Sequence, residues 1–393
     1  MNEKAKKLFT NPWFWTGIVL LIILLITIQN LLLPPKTFFA GGPERTHYNN
    51  YQIFKYSFFH LIENKDLYAA YPEHWDYYKY SPTFAALMAP FAALPDAAGL
   101  LCWNLLNGLV LFFAMWKLPF QVRTRLLVFA LVFLELFASL HNSQSNALIA
   151  GLILFAFISL EKKRIALAAL FIVITAFIKV FGIVALVLFL FYPNKLKAFF
   201  WTIGWIVLLA ALPLLFVSTA QLTFLYESWM VMIRDDHSMS VGLSVAGWLY
   251  TWFGIEAKNP IVIFGAILFC LPLLRYKYYA EIKFRLLFLA SILLWIVIFN
   301  HKAEAPTFVI AVTGVGIWYF SQKAKIENTI LLFLVVIFTV LSDTGIFPKA
   351  FYEEYILRHV FKAVPCILVW FKLFFELMLY KPGKELQYNL AEQ

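Results

Sequence analysis

Charge is what this sequence lacks most. Only 14% of its 393 residues are charged, against 62% from the apolar and aromatic set, and a soluble chain of this length needs far more charge to cover its surface. Water is therefore excluded as its solvent, whereas lipid-facing helices are covered by Leu, Phe, Ile and Val without penalty. Cysteine is nearly absent as well: Cys102, Cys270 and Cys366 sit singly in apolar stretches. An odd count without CxxC or Cys/His spacing excludes a disulfide framework and a zinc site. No internal repeat is visible, inverted or parallel, which argues against a secondary transporter. The glycines of "TGVGIWYF" lie inside an apolar run with no strand before them, so a dinucleotide-binding turn is excluded too. A net charge of +10 would suggest nucleic acid in a soluble protein. Here the cations form small clusters between apolar runs, where they report topology, and no nucleic-acid partner is expected.

What the sequence has is apolar length. Runs able to cross, or nearly cross, about 30 Å of hydrocarbon start near Trp13, Ala97, Leu126, Ala147, Ile165, Val180, Ala198, Ile261, Leu286, Pro306, Thr329 and Val364. They predict an all-α, polytopic bundle of about twelve spans, a single integral membrane domain over residues 1–393. The run from Trp13 to Leu33 is too long for a signal-peptide core and reads as an uncleaved span. An even number of spans starting inside returns "KLPFQVRTR", "EKKR", "PNKLK", "RYKYYAEIKFR" and "QKAK" to the cytoplasm. With both termini these hold 19 of the 32 Lys and Arg, so the positive-inside rule predicts a cytoplasmic N-terminus in the inner membrane. All seven His and all six Asp then fall at the opposite face.

Three segments on that face are long: residues 34–96, 218–260 and 343–363. In the first, Ile53, Phe54, Phe58 and Ile62 recur at helical spacing and predict an amphipathic helix along the interface. "SPTFAALMAPFAALP" after it is too short and too rich in proline for a span and predicts a re-entrant or interfacial helix.

Four constellations can carry chemistry. "SLHNSQSNALIAG" puts His141, Asn142, Ser143, Gln144, Ser145 and Asn146 between two runs, either as a helix cap or as amides suited to sugar hydroxyls. Lys179, at the outer end of a span, either snorkels to the interface or meets an anion such as phosphate. "MIRDDHSM" gathers Asp235, Asp236 and His237, a general base or a solvated turn; without further ligands at diagnostic spacing a divalent cation is weakly supported, and no cofactor is expected. "IFNHKAEAPTF" brings His301, Lys302 and Glu304 into apolar surroundings. His301 and Glu304 would share a face if helical, the carboxylate orienting the imidazole.

The order of these pieces resembles the GT-C membrane glycosyltransferases, specifically glycosyltransferase family 87, the polyprenol-phosphate-mannose-dependent mannosyltransferases. "YKYSPTFAALMAPFAALP" is similar to the family's Tyr-Pro-Pro and following apolar stretch, "NSQSNALIAGLIL" to its Gly-Gln-x-Asn segment, "AFIKVFGIVAL" to its lysine-bearing hairpin, and His301 to its late-helix histidine. The resemblance implies inverting transfer of a hexose from a polyprenyl-phosphate-linked donor to a glycan or glycolipid acceptor, in the bilayer and at its outer face. Lys179, His301 and Lys302 fit the phosphate role it implies, and with the constellations above Asn50, His141, Gln144, Asn146, His237 and Glu304 complete the expected donor phosphate and sugar site. The sequence departs from the family at Asn50, where an Asp is usual and an amide cannot take a proton. Glu44, or else Asp235 or Asp236, is then the expected base. Two other readings fit the composition: a transporter of a lipid or organic anion, and a catalytically silent subunit that binds lipid-linked sugar.

Overall fold

The computed structural model describes residues 10–37, 42–236 and 240–382. Each of the twelve apolar runs becomes helical, with a helix starting within four residues of where the run begins. Among the described residues the fold is all-α apart from one two-stranded ladder, β1 (Lys36–Thr37) with β2 (Glu44–Arg45). Five helices among the described residues are long and apolar enough to cross a bilayer alone: Pro12–Leu32, Asp96–Trp116, Val122–His141, Lys195–Leu215 and Ile326–Thr344. The other apolar helices are shorter. Val180–Phe191 is wound as a 3-10 helix rather than an α-helix.

The chain packs as two compact units, made of residues 1–114, 137–183 and 196–239, and of residues 115–136, 184–195 and 240–393. The first contains α1 (Pro12–Leu32), the ladder, α2 (Asn49–Ile62), the short α3 (Pro82–Leu87) and α4 (Ala89–Ala92), and most of α5 (Asp96–Trp116). It also takes the last turn of α6 (Val122–His141), then α7 (Asn146–Glu161), α8 (Ile165–Ile178), α9 (Lys195–Ala211) and α10 (Thr219–Asp236).

Within it, α7 is buried over nearly its whole circumference, as expected of a helix apolar on every side. Gly151 lets it approach α5: a Cβ there would stand 2.8 Å from the Leu111 amide nitrogen, the small-residue contact that membrane helices use to bring backbones together.

The amphipathic helix predicted around Ile53 and Phe54 is α2, but its face is turned. Tyr51, Ile53, Phe54, Ser57 and Leu61 are buried, while Ile62 is 42% exposed. The cause is the aromatic cluster on one side: Phe54 meets Tyr80, Phe84 and Trp103 at 4.9–5.5 Å between ring centroids. Packing on these rings draws the 54/57/61 stripe inward. The proline-rich segment after it forms the two short helices α3 and α4, interrupted at Met88 just ahead of Pro90. The segment read as a long loop over 218–260 holds α10 and α11 (Val245–Phe253).

The second unit continues with α11, α12 (Lys258–Cys270), α13 (Ile282–Ile298), α14 (Phe308–Phe320), α15 (Ile326–Val335) and α16 (Val364–Met378). Its core is the hairpin of α13 and α14, buried along both lengths.

Candidate functional site

The turn between α6 and α7 is where polar groups converge in the first unit. α6 ends at His141 because Ser143 takes a left-handed conformation, with φ of +52°, and the chain restarts at Asn146. Neighbours hold the turn's carbonyls: Asn30 Nδ2 donates to His141 O at 2.9 Å, Asn50 Nδ2 to Asn142 O at 2.8 Å, and Trp103 Nε1 to Ser143 O at 2.9 Å. Three donors on three successive carbonyls fix the turn, so its side chains are presented by a rigid backbone.

Asn146 and Gln144 are buried. Asn146 Nδ2 donates to Gln144 Oε1, and its Oδ1 accepts from Lys179 Nζ at 2.8 Å. Lys179 caps α8 with an extended backbone, which carries it out of the helix line. Its ammonium lies 5.9 Å from the centre of the Tyr80 ring and 6.0 Å from that of Phe181. These are cation–π distances. The Asn146 amide carbonyl orients the ammonium beside the turn. The His47 ring stands 6.1 Å from that of His141. Burial, then the Lys36 charge, pushes the His47 imidazole toward its neutral form.

The structure thus brings Asn50, His141, Gln144, Asn146 and Lys179 to one turn and adds His47 and Tyr80, which the sequence reading missed. Tyr80 had a visible signal, since it directly precedes the Ser81-Pro82 start of α3. The proposed bases lie elsewhere in this unit's chain. Glu44 is exposed on β2 opposite Thr37, Asp235 is exposed at the end of α10, and Asp236 beside it is half-buried. His237 lies outside the described residues.

His301, Lys302 and Glu304 belong to the second unit, and the shared helical face expected for His301 and Glu304 does not form. α13 ends at Ile298, and residues 300–304 are a turn in which Lys302 N donates to Asn300 Oδ1 at 2.9 Å. Pro306 can enter only a first helical turn, so the next helix starts after Glu304, which becomes its cap. A capping box joins Glu304 and Thr307, with Glu304 N donating to Thr307 Oγ1 at 3.2 Å. The Glu304 carboxylate therefore serves the helix end.

Two carboxylates within predicted spans, half-buried Glu376 and buried Glu135, are both partnered. Glu376 accepts from Trp318 Nε1 at 2.7 Å and Gln322 Nε2 at 3.1 Å. Glu135 accepts from Lys362 Nζ at 2.7 Å. Lys362 had drawn no attention in the sequence because its partner is 227 residues away. Among the described residues no group of three or more His, Cys, Asp or Glu is arranged to hold a metal ion.

No curated protein matches this chain. A family model, glycosyltransferase family 87, matches residues 78–342, a stretch that includes the α6–α7 turn, Lys179 and the 301–304 turn but begins after Glu44 and Asn50. With more than half of the chain matched, the protein belongs to glycosyltransferase family 87 and is a membrane glycosyltransferase.

Proposed function

We propose that this glycosyltransferase moves a hexose, mannose being the first candidate, from a polyprenyl-phosphate-linked donor to a glycan or glycolipid acceptor at the outer face of the cytoplasmic membrane. The observation that carries the reading is the Lys179–Asn146–Gln144 relay at a backbone-locked turn. A donor of this kind offers one phosphodiester charge beside a ring of hydroxyls. A half-buried ammonium next to two buried amides matches that pattern of charge and hydrogen bonds. His141 and Asn50 border the same turn, and on the second unit's own 300–304 turn His301 and Lys302 are the candidates for a donor-phosphate contact.

In the transfer, an acceptor hydroxyl oxygen forms a bond to the anomeric carbon as that carbon's bond to the phosphate oxygen breaks. The electron pair leaves with polyprenyl phosphate, stabilised by Lys179, and the hydroxyl proton passes to a carboxylate. Asn50 cannot take it, and its amide already donates to Asn142 O. Glu44, which opens the strand leading to His47 and Asn50, is the base we assign first, with Asp235 and Asp236 next. No metal or soluble nucleotide enters the scheme.

The test incubates purified protein with polyprenyl-phosphate-linked mannose and candidate acceptors and follows released lipid phosphate. Turnover that E44Q abolishes supports both donor and base. Turnover unchanged in E44Q moves the base to Asp235 or Asp236. Absence of turnover with any lipid-linked hexose, together with solute movement in liposomes, overturns the reading in favour of transport.

A further inference from the structure

Lys362 has no part in the scheme above, yet it is enclosed more tightly than a cation normally is: it is 4% exposed and Glu135 beside it 1%. Its ammonium donates to Glu135 Oε1 at 2.7 Å, to Asp343 Oδ2 at 2.9 Å and to Thr339 O at 2.9 Å. Asp343, the more exposed end, accepts from Tyr352 OH at 2.9 Å. A buried bridge of this kind is a poor source of stability, because an apolar pair of similar volume does as well or better. Nor does it satisfy Glu135 fully, since Glu135 Oε2 has no hydrogen-bond partner among the described residues. The arrangement calls for another explanation, which the neighbours of Lys362 provide.

Two routes lead from residues 359–362 to the turn bearing His301 and Lys302, all within the second unit. The first is direct. The Lys362 ammonium stands 5.5 Å from the centre of the Phe308 ring, and Phe308 is fully buried and opens α14 immediately after the 305–307 turn. The second runs through α11. Trp252 Nε1 donates to His359 O at 2.7 Å and its ring lies 5.2 Å from that of Phe361. At the other end of α11, Leu243 N donates to Ala303 O at 2.8 Å and Ser240 Oγ to His301 O at 3.2 Å. Gly242 fits this junction with φ of +56°, where a Cβ would come within 2.5 Å of His301 O. Both ends of the 301–308 segment therefore refer back to the short stretch that Lys362 anchors.

We propose that Lys362, held by Glu135 and Asp343, is a positioning residue that fixes the 301–308 segment, and through it the placement of His301 and Lys302 toward the donor phosphate. The last clause rests on the proposed function; the anchoring does not. Lys362 itself touches no substrate. Its ammonium fixes residues 359–362 by three bonds, and the two routes pass that constraint to the turn.

The experiment uses full-length protein carrying K362M alone and E135Q/K362M. The single change leaves a buried carboxylate without its cation and is expected to destabilise strongly. The double change also neutralises the buried Glu135, leaving only the more exposed Asp343 with its Tyr352 contact, and is expected to restore most of the melting temperature. In the folded double variant, amides of 240–244 and 300–308 should exchange hydrogen faster than in the wild type. With polyprenyl-phosphate-linked mannose, donor KM should rise about tenfold while kcat stays within about threefold. Wild-type protection of both segments in the double variant overturns the anchoring. Faster exchange with unchanged donor KM overturns the positioning role, provided H301A is impaired. If H301A transfers at the wild-type rate, the assignment of His301 falls instead, and the exchange result still decides the anchoring.

Discussion

Lys179 is oriented by a bond to the Asn146 amide and lies near the faces of two aromatic rings, which directs its charge toward the amide turn. Replacing it with methionine keeps the length of the side chain and removes the charge. Transfer should fall by about 10²–10³-fold, the range for deleting one preorganised group that stabilises developing negative charge, with melting temperature little changed. Near-normal release of lipid phosphate by K179M would remove the ammonium from the site. His60 and His74 set a second expectation at this scale. Both are buried, and burial first of all holds each imidazole's pKa below 6.5, outweighing the opposing Glu73 carboxylate. Above 6.5 both folded and unfolded states are neutral at these groups. As pH falls through that value the unfolded chain takes up protons that the folded chain resists, so stability declines. The melting temperature should drop from pH 7.5 to pH 5.5, and the drop should be smaller in H60Q/H74Q. Equal slopes in variant and wild type would show that neither imidazole is the cause.

Among the elements, the α5–α7 contact depends on one missing side chain. G151V would press a branched Cβ toward the Leu111 backbone, which cannot yield as a flexible side chain can. We expect a loss of about 1–3 kcal/mol, with altered presentation of the α6–α7 turn at the start of α7. A melting temperature within a degree or two of wild type would mean that the helices part more easily than their packing implies. Element existence was readable in the sequence, since all twelve apolar runs became helices close to where each began. Which face of α2 turns inward was not, because the rings that draw Phe54 come from residues 80–103, beyond any local period. The amide turn was legible as a composition, His141 to Asn146, while its locking by Asn30, Asn50 and Trp103 needed contacts spanning 40–111 residues. The shared helical face of His301 and Glu304 fails for a local reason that the sequence did contain: Pro306 makes Glu304 a cap before it can share a helix with His301. The Glu135–Lys362–Asp343 bridge lay beyond sequence reading altogether. A carboxylate inside a span announces that it needs a partner, but nothing in its spacing names which.

For the molecule as a whole, function depends on which leaflet the α6–α7 turn faces, and the distribution of fixed positive charge answers that in a testable way. α7 runs from Asn146 to Glu161, so the amide turn and the "EKKR" turn lie at its opposite ends. Lys162, Lys163 and Arg164 are all exposed, and a cluster of cations in a short connection resists translocation. The cytoplasm should therefore hold this turn, leaving Lys179 and the amides at the outer face. Cysteine placed at exposed Glu63 (E63C) and exposed Lys163 (K163C) reads both sides, in a C102A/C270A background that removes the two exposed native thiols and leaves only buried Cys366. An impermeant maleimide applied to spheroplasts should label E63C at once and K163C only after lysis. The reverse pattern would turn the amide turn toward the cytosol. Lys179 would then face soluble nucleotide-sugars, and the case for a polyprenyl-phosphate donor would lose the leaflet on which it stands.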